Sequence, residues 1–118
     1  MPQYRITNAA RADIVDILRL SQTQFGGQAR QRYQALILAA LQALASTPYR
    51  IGSHDRDELA PGLRSYHLIY SRQQAKPPNG TVKSPRHIVL YRVANDDLIE
   101  VVRLLHDAMD VQLHLPND

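Results

Sequence analysis

The chain has 118 residues, a formal net charge of +3, 44% hydrophobic residues and 21% charged residues. This balance excludes a disordered or low-complexity chain, and the length suits a single domain. Cysteine is absent, which excludes disulfides, thiol catalysis and cysteine-based zinc sites. No apolar run approaches a membrane span and the N-terminus lacks the apolar core of a secretory signal, so a cytoplasmic protein is expected.

The first half of the chain predicts one strand and two helices. Residues Gln3–Thr7 alternate polar and apolar, as a short strand does. Asn8 is a suitable N-cap for a helix over Ala9–Gln24, which the glycine pair after Phe25 ends. The second helix, Gln28–Ala45, has a long apolar stripe at helical spacing. Two helices joined by a Gly-Gly turn predict an antiparallel hairpin whose stripes enter the core.

The second half predicts three strands, over Leu63–Arg72, His87–Val93 and Leu98–Leu104. Residues 49–62 form a polar connection, and residues 73–86, with three prolines and a glycine, predict a long hairpin loop. Residues 107–118 form a C-terminal tail. The whole chain, 1–118, is predicted to be one α+β domain of order β-α-α-β-β-β. It has a small antiparallel β-sheet with the N-terminal helical hairpin packed on one face.

The last two predicted strands are apolar on both faces, although two helices cover only one side of a sheet. We therefore expect a partner chain to cover the second face. Charge also favours a partner, since the 37 residues between Glu58 and Asp96 carry +6. Twelve of the fourteen basic residues are arginine, which binds phosphate or carboxylate through a planar fork. An ordinary solvated basic surface is the alternative interpretation.

Several segments together resemble the ParE/RelE toxin superfamily, and the ParE branch more closely. Ala10-x-x-Asp13-Ile14 opens the first helix as in that family, and the second helix ends near Pro48. The segment 57–68 resembles the part that leads into the second strand. Residues 86–93 and 99–110 resemble the third and fourth strands, with a Leu-His-x-x-x-Asp ending. The resemblance covers residue 4 to about residue 115, and the loop at 73–86 is longer than in the commoner ParE pattern.

This resemblance implies the toxin of a type II toxin–antitoxin pair, with a ParE/RelE-like fold and a role such as plasmid stabilisation. Such a toxin is held inactive in a hetero-oligomer by a ParD-like antitoxin that wraps around it. ParE-like members inhibit DNA gyrase, and RelE-like members cut mRNA on the ribosome. We expect no cofactor, no metal site and no membrane association.

The predicted contacts follow from charge and position. For the gyrase target they are five basic residues: Arg64, Arg86, Arg92, Arg103 and His106. For the antitoxin they are apolar residues of the second sheet face, together with the exposed flanks of the helical hairpin. Those apolar residues are Ile88, Leu90, Tyr91, Val101 and Leu104.

A ribosome-dependent endonuclease of the RelE type is the alternative function. It needs a group that takes the 2′-hydroxyl proton, cations on the phosphate and a proton donor for the leaving oxygen. The candidates for such metal-independent catalysis are Arg64, His67 and His106, but the lysine pair that RelE-like enzymes carry before the second strand is absent. A binding toxin without catalysis is therefore favoured. A binding module that has lost toxicity is the third interpretation.

Overall fold

The computed structural model describes residues 2–74 and 80–109, which form a five-stranded sheet and two packed helices. The α+β class and the broad β-α-α-β-β-β order predicted from the sequence are confirmed. The regular elements, in chain order, are β1 (Gln3–Ile6), α1 (Asn8–Phe25), α2 (Gly27–Ser46), β2 (Ser53–Asp55), β3 (Leu63–His67), β4 (His87–Asn95) and β5 (Leu98–His106). In the part of the chain described, neither helix is both long and apolar enough to cross a bilayer.

The strand order in the sheet is β1-β5-β4-β3-β2. Three of the four strand pairs are antiparallel, as predicted, but β1 runs parallel to β5. All the other elements separate β1 from β5 along the chain, so no hairpin turn forces that pair to be antiparallel. The polar connection predicted over 49–62 contains β2, which pairs with β3.

The strand β3 is shorter than the strand predicted over Leu63–Arg72. It ends at His67 instead of Arg72, and Leu68–Ser71 forms one turn of 3₁₀ helix. The Nδ1 atom of His67 accepts the amide of Ile69 at 3.0 Å, which turns the backbone out of the strand. Of the predicted loop and tail, residues 75–79 and 110–118 lie outside the described residues.

The N-cap of α1 is Thr7, not the predicted Asn8. The Oγ1 atom of Thr7 accepts the amide of Ala10 at 3.1 Å and donates to the carbonyl of Val102 at 2.9 Å. One side chain therefore caps the helix and fixes its beginning to the edge of β5.

The main core lies between the helices and one face of the sheet. It buries the α2 stripe (Leu36, Ile37, Ala40, Leu41 and Leu44) against residues of β3, β4 and β5. A second, smaller cluster lies on the other face and consists of Leu63, Leu90, Val102 and Leu105. The connection before β3 contributes Leu59 and Ala60 to this cluster. The expectation of an uncovered second face is therefore wrong, because all four side chains are buried.

The predicted antitoxin contacts on the sheet are mostly core residues. Tyr91, Val101 and Leu104 belong to the main core under the helices, and Leu90 belongs to the second cluster. All four are buried, so none presents a side chain at the surface, and only Ile88 is half-buried. A β-bulge between Leu90 and Tyr91 changes the register to β5, which a simple alternation of faces did not anticipate.

Candidate functional site

Titratable side chains meet where β3 ends, β4 begins and β5 ends. The register of the β4–β5 hairpin places His87 opposite His106, and the β3–β4 register brings His67 opposite Ile88. Tyr33 of α2 joins them from the helical layer. We call this group the Asp107 cluster; it consists of Tyr33, His67, Arg86, His87, His106 and Asp107.

Asp107 is the central residue of the cluster. Its carboxylate lies 3.0 Å from Nε2 of His67 and accepts the Arg86 guanidinium at 2.9–3.1 Å. Its backbone amide donates to the carbonyl of Arg86 at 2.8 Å. The hydrogen bonds from His67 and Arg86 lower the pKa of Asp107 to about 2. A charged carboxylate therefore holds the end of β5 to β3 and β4 at neutral pH.

His87 is a half-buried member of the cluster. Its Nδ1 atom lies 2.6 Å from the hydroxyl of Tyr33, which accepts the backbone amide of Arg86 at 3.1 Å. Burial, reinforced by the nearby His106, lowers the pKa of His87 to about 4. Burial likewise raises the pKa of Tyr33. At neutral pH both groups are uncharged, and the Tyr33 hydroxyl suits the neutral imidazole as a donor.

His106 lies opposite His87 in the pairing of β4 with β5, and its side chain is open to solvent. Its ring packs edge-on against His87, with 5.4 Å between the ring centroids, and its side chain is 40% exposed. Its Nδ1 atom accepts the amide of Ala108 at 3.1 Å and lies 3.6 Å from a carboxylate oxygen of Asp107.

His87 and His106 also line a groove of about 990 Å³ between the helical hairpin and the segment 80–87. We call it the hairpin groove. Its volume is within the range of ligand-binding clefts. Its apolar walls include Phe25, which is 74% exposed. Arg32, Lys83 and Arg86 add positive charge, and no Asp or Glu is among the described residues that line it. The groove lining consists of Ile17, Leu20, Ser21, Gln24, Phe25, Ala29, Arg32, Tyr33, Gly80, Thr81, Val82, Lys83, Ser84, Arg86, His87 and His106.

The structure does not bring Arg64 together with His67 and His106. Arg64 precedes His67 by three positions on β3, so their side chains project to opposite faces of the sheet. The Nε atom of Arg64 donates to the hydroxyl of Ser53 at 2.9 Å, and its guanidinium lies over the ring of Tyr49 at 4.8 Å. His67, Arg86 and His106, by contrast, all belong to the Asp107 cluster.

The remaining two predicted target contacts have different surroundings. Arg92 makes a long 3.5 Å hydrogen bond to the carbonyl of Pro61. Arg103 forms a two-pronged ion pair with Asp13 of α1 at 2.7 and 2.9 Å, which raises the pKa of Arg103. The same carboxylate accepts the amide of Leu104 at 3.0 Å. Arg103 therefore holds α1 against the edge of β5.

Sequence reasoning missed Tyr33, His87 and Asp107 as members of the site. Counting pairs back from the predicted turn at 94–97 would place His87 opposite Leu104. In the structure β4 extends to Asn95 and its pairing with β5 shifts register twice, which brings His87 opposite His106, so residue counting could not have found this contact. Tyr33 arrives through helix–sheet docking, which residue spacing does not encode. Among the residues the structure describes, no group of three or more His, Asp or Glu is arranged to hold a metal ion.

The chain matches the family model described as "ParE toxin of type II toxin-antitoxin system, parDE" over residues 4–111. It is 28% identical over 113 residues to the protein named Toxin ParE1 from Mycobacterium tuberculosis strain H37Rv, covering 96% of this chain and 97% of that protein. It is also 28% identical over 115 residues to Toxin ParE1 from Caulobacter vibrioides, covering 98% and 99%. The chain therefore belongs to the ParE toxin family of type II toxin–antitoxin systems.

Proposed function

We propose that this toxin acts by binding rather than by catalysis, that it inhibits DNA gyrase in the cytoplasm, and that a cognate antitoxin neutralises it. The observation that carries the binding mechanism is the position of Arg64. The phosphate-binding cation of the predicted nuclease site lies on the opposite face of the sheet from His67 and hydrogen bonds Ser53. Gyrase as the target follows from the resemblance to ParE-like members.

The other candidate catalytic groups also support a binding toxin. His67 uses Nε2 for Asp107 and Nδ1 for the amide of Ile69, so both ring nitrogens already have partners. The guanidinium of Arg86 contacts the same carboxylate of Asp107. A phosphate in the cluster would compete with Asp107 for both of these donors. General base catalysis needs a nitrogen that can reach the substrate proton.

The hairpin groove is the antitoxin surface that we propose in place of the buried sheet residues. Its walls are apolar, and its charged side chains, Arg32, Lys83 and Arg86, are all basic. An amphipathic segment with acidic side chains along its edge fits a groove with this lining. The predicted antitoxin contacts also included the flanks of the helical hairpin, and the groove lies along one of them.

The target is tested with purified gyrase and relaxed plasmid. We expect the toxin to block ATP-dependent supercoiling, while reporter transcripts in a translation extract stay intact. Uninhibited supercoiling together with transcripts cut at ribosome-occupied codons would overturn the proposal. That result would establish the RelE-like endonuclease, which the proximity of His67, Arg86 and His106 favours as the second candidate. Unimpaired growth of bacteria that express the chain alone would identify a non-toxic binding module.

The antitoxin surface is tested with Phe25→Glu, which places a negative charge on the groove wall. We expect this variant to remain toxic when the antitoxin is co-expressed, because the acidic segment no longer docks. Ile51→Glu is the matched control, since Ile51 is 92% exposed and is not part of the groove lining. Neutralisation of Phe25→Glu as complete as that of Ile51→Glu would exclude the groove.

A further inference from the structure

One side of the hairpin groove has no regular backbone structure. Residues 80–86, which we call the 80–86 segment, belong to neither a helix nor a strand, and all of them except Pro85 line the groove. A helix or a strand is held in place by its own backbone hydrogen bonds, whereas an irregular segment depends on contacts with its neighbours. The position of this side of the groove is therefore set by side chains that reach it from other elements.

Contacts from three directions hold the 80–86 segment. The guanidinium of Arg72, just after the 3₁₀ turn, donates to the carbonyl of Lys83 at 2.6 Å, and Val82 packs against the main core. Asp107 holds the Arg86 end of the segment to β5. From the helical layer, the hydroxyl of Tyr33 accepts the backbone amide of Arg86 at 3.1 Å. The last of these contacts joins the segment to α2, on the opposite side of the groove.

The geometry of Tyr33 fixes the distance between the two sides of the groove. Its ring lines the groove and packs edge-on against His87, with 5.5 Å between the ring centroids. Because the oxygen accepts the Arg86 amide, the hydroxyl hydrogen is left for Nδ1 of the neutral His87 at 2.6 Å. The hydroxyl thus uses both its donor and an acceptor position, and the helical hairpin and the 80–86 segment are spaced before any partner binds.

We propose that Tyr33 is a positioning residue for the antitoxin, an inference that rests on the proposed function. Its hydroxyl holds the 80–86 segment at the spacing from the helical hairpin that the docking antitoxin segment requires. A binding surface that is already ordered loses less conformational entropy on association, so it binds more tightly. Without the hydroxyl, the antitoxin has to order this side of the groove as it binds.

The test uses Tyr33→Phe, which keeps the ring in the groove and removes only the hydroxyl. The affinity is measured by calorimetric titration with the full-length antitoxin encoded in the adjacent reading frame, at a temperature where circular dichroism shows each variant folded. We expect binding to be weaker than that of the wild type by about fivefold to tenfold, the usual effect of one hydrogen bond. In the free variant, amide exchange of residues 81–84 should accelerate, and the antitoxin should restore their protection.

Arg72→Ala tests the same inference from outside the groove, because Arg72 is not part of the groove lining. It removes the hydrogen bond to the carbonyl of Lys83. We expect faster amide exchange of residues 81–84 and binding about threefold weaker than that of the wild type. If Tyr33→Phe does not fold, this variant decides the inference, and wild-type affinity in folded Arg72→Ala would then overturn it.

Tyr66→Phe is the matched control. Tyr66 is fully buried, its hydroxyl lies 2.8 Å from Oγ of Ser71, and it is not part of the groove lining. This variant also loses a buried hydrogen bond, but it should bind the antitoxin with wild-type affinity and keep the wild-type exchange of residues 81–84.

Two results would overturn this inference and leave the proposed function in place. One is wild-type affinity in folded Tyr33→Phe while Phe25→Glu loses binding, and the other is a loss of affinity in Tyr66→Phe as large as in Tyr33→Phe. Wild-type affinity in both Tyr33→Phe and Phe25→Glu would exclude the groove, and with it both the inference and the proposed antitoxin surface.

Discussion

Two arginine–carboxylate sites flank the end of β5, and their chemistry is the same while their surroundings differ. In the Asp13–Arg103 pair the two side chains are only 14% and 21% exposed. In the Asp107–Arg86 pair they are 25% and 60% exposed, beside the hairpin groove. An ion pair that is shielded from water acts on the stability of the fold, whereas an exposed one contributes little to it. The first pair therefore holds the structure, and the second remains accessible to a partner.

The difference follows from the edge of the sheet. The pairing of β1 with β5 ends at Val101, so the next residues of β5 have a strand beside them only on the β4 side. The Thr7 hydroxyl donates to the carbonyl of Val102 on this edge, and the Asp13 carboxylate accepts the amide of Leu104. Past His106, at the far end of β5, the chain leaves the sheet. There the carboxylate of Asp107 pairs with the exposed guanidinium of Arg86.

The largest expected effect is on the shielded pair. Asp13→Ala leaves the Arg103 guanidinium and the Leu104 amide without their common acceptor, and we expect a loss of about 3 kcal/mol in the free energy of unfolding. Urea denaturation measures this loss. Asp16→Ala on the same helix is the control and should change it by less than about 0.5 kcal/mol, because Asp16 is largely exposed. Equal losses in the two variants would contradict the role of Asp13.

The next effect is the response of the fold to mild acid. His87 has a pKa of about 4 in the folded protein, against 6.5 when unfolded. The unfolded chain therefore binds the proton first, and stability that is complete above pH 6.5 is lost as the pH falls toward 4. Linkage predicts a loss of about 2 kcal/mol between pH 7 and pH 5.

Urea denaturation at pH 7, 6 and 5 measures this loss. His87→Gln keeps a group that can accept from Tyr33 but does not titrate, so its stability should be nearly constant over the same range. His54→Gln should behave like the wild type. An acid response in His87→Gln as steep as in the wild type would assign the titration to another group.

A smaller effect is expected at the exposed pair. Asp107→Asn removes the charge that holds His67 and Arg86, and it should destabilise the fold less than Asp13→Ala because solvent screens the site. Its contribution in the wild type is present above pH 3.8 and is lost as the pH falls through about 2, the pKa of Asp107 in the fold. Amide exchange should accelerate at the end of β5 and not at α1. Acceleration throughout the sheet would mean that both sites hold the fold equally.

The smallest effect on stability is expected at Arg92. Arg92→Glu removes one long hydrogen bond to Pro61 and should change the free energy of unfolding by less than about 0.5 kcal/mol. If Arg92 contacts gyrase, the folded variant should inhibit supercoiling less than the wild type. Arg103→Glu is unsuitable for this test because it breaks the pair with Asp13. Full inhibition by folded Arg92→Glu would remove Arg92 from the target surface.

The sequence predicted the elements whose own residues determine them. The stripe of α2 reached the core because its apolar spacing has the period of a helix. The strand β2 was missed because Ser53, His54 and Asp55 have no apolar alternation, and only pairing with β3 makes them a strand. The segment Leu68–Ser71 was predicted as strand from its apolar residues, although the bond from Ile69 to His67 turns it.

The site was predictable only in part. His67, Arg86 and His106 were chosen for their chemistry, and the hairpin register brings them together. Arg64 was chosen on the same grounds, but the alternation of β3 sends it to the other face. The role of Asp107 depends on three separate segments meeting at one carboxylate, and no local pattern contains that information.

The most direct test of the antitoxin surface is hydrogen–deuterium exchange of the toxin with and without its antitoxin. We predict that the amides of residues 17–33 and 80–87 gain protection, because these segments line the hairpin groove. The exposed region around Tyr49 and Ile51 should exchange as it does in the free toxin. Protection confined to residues 49–55, with the groove segments unchanged, would contradict the account.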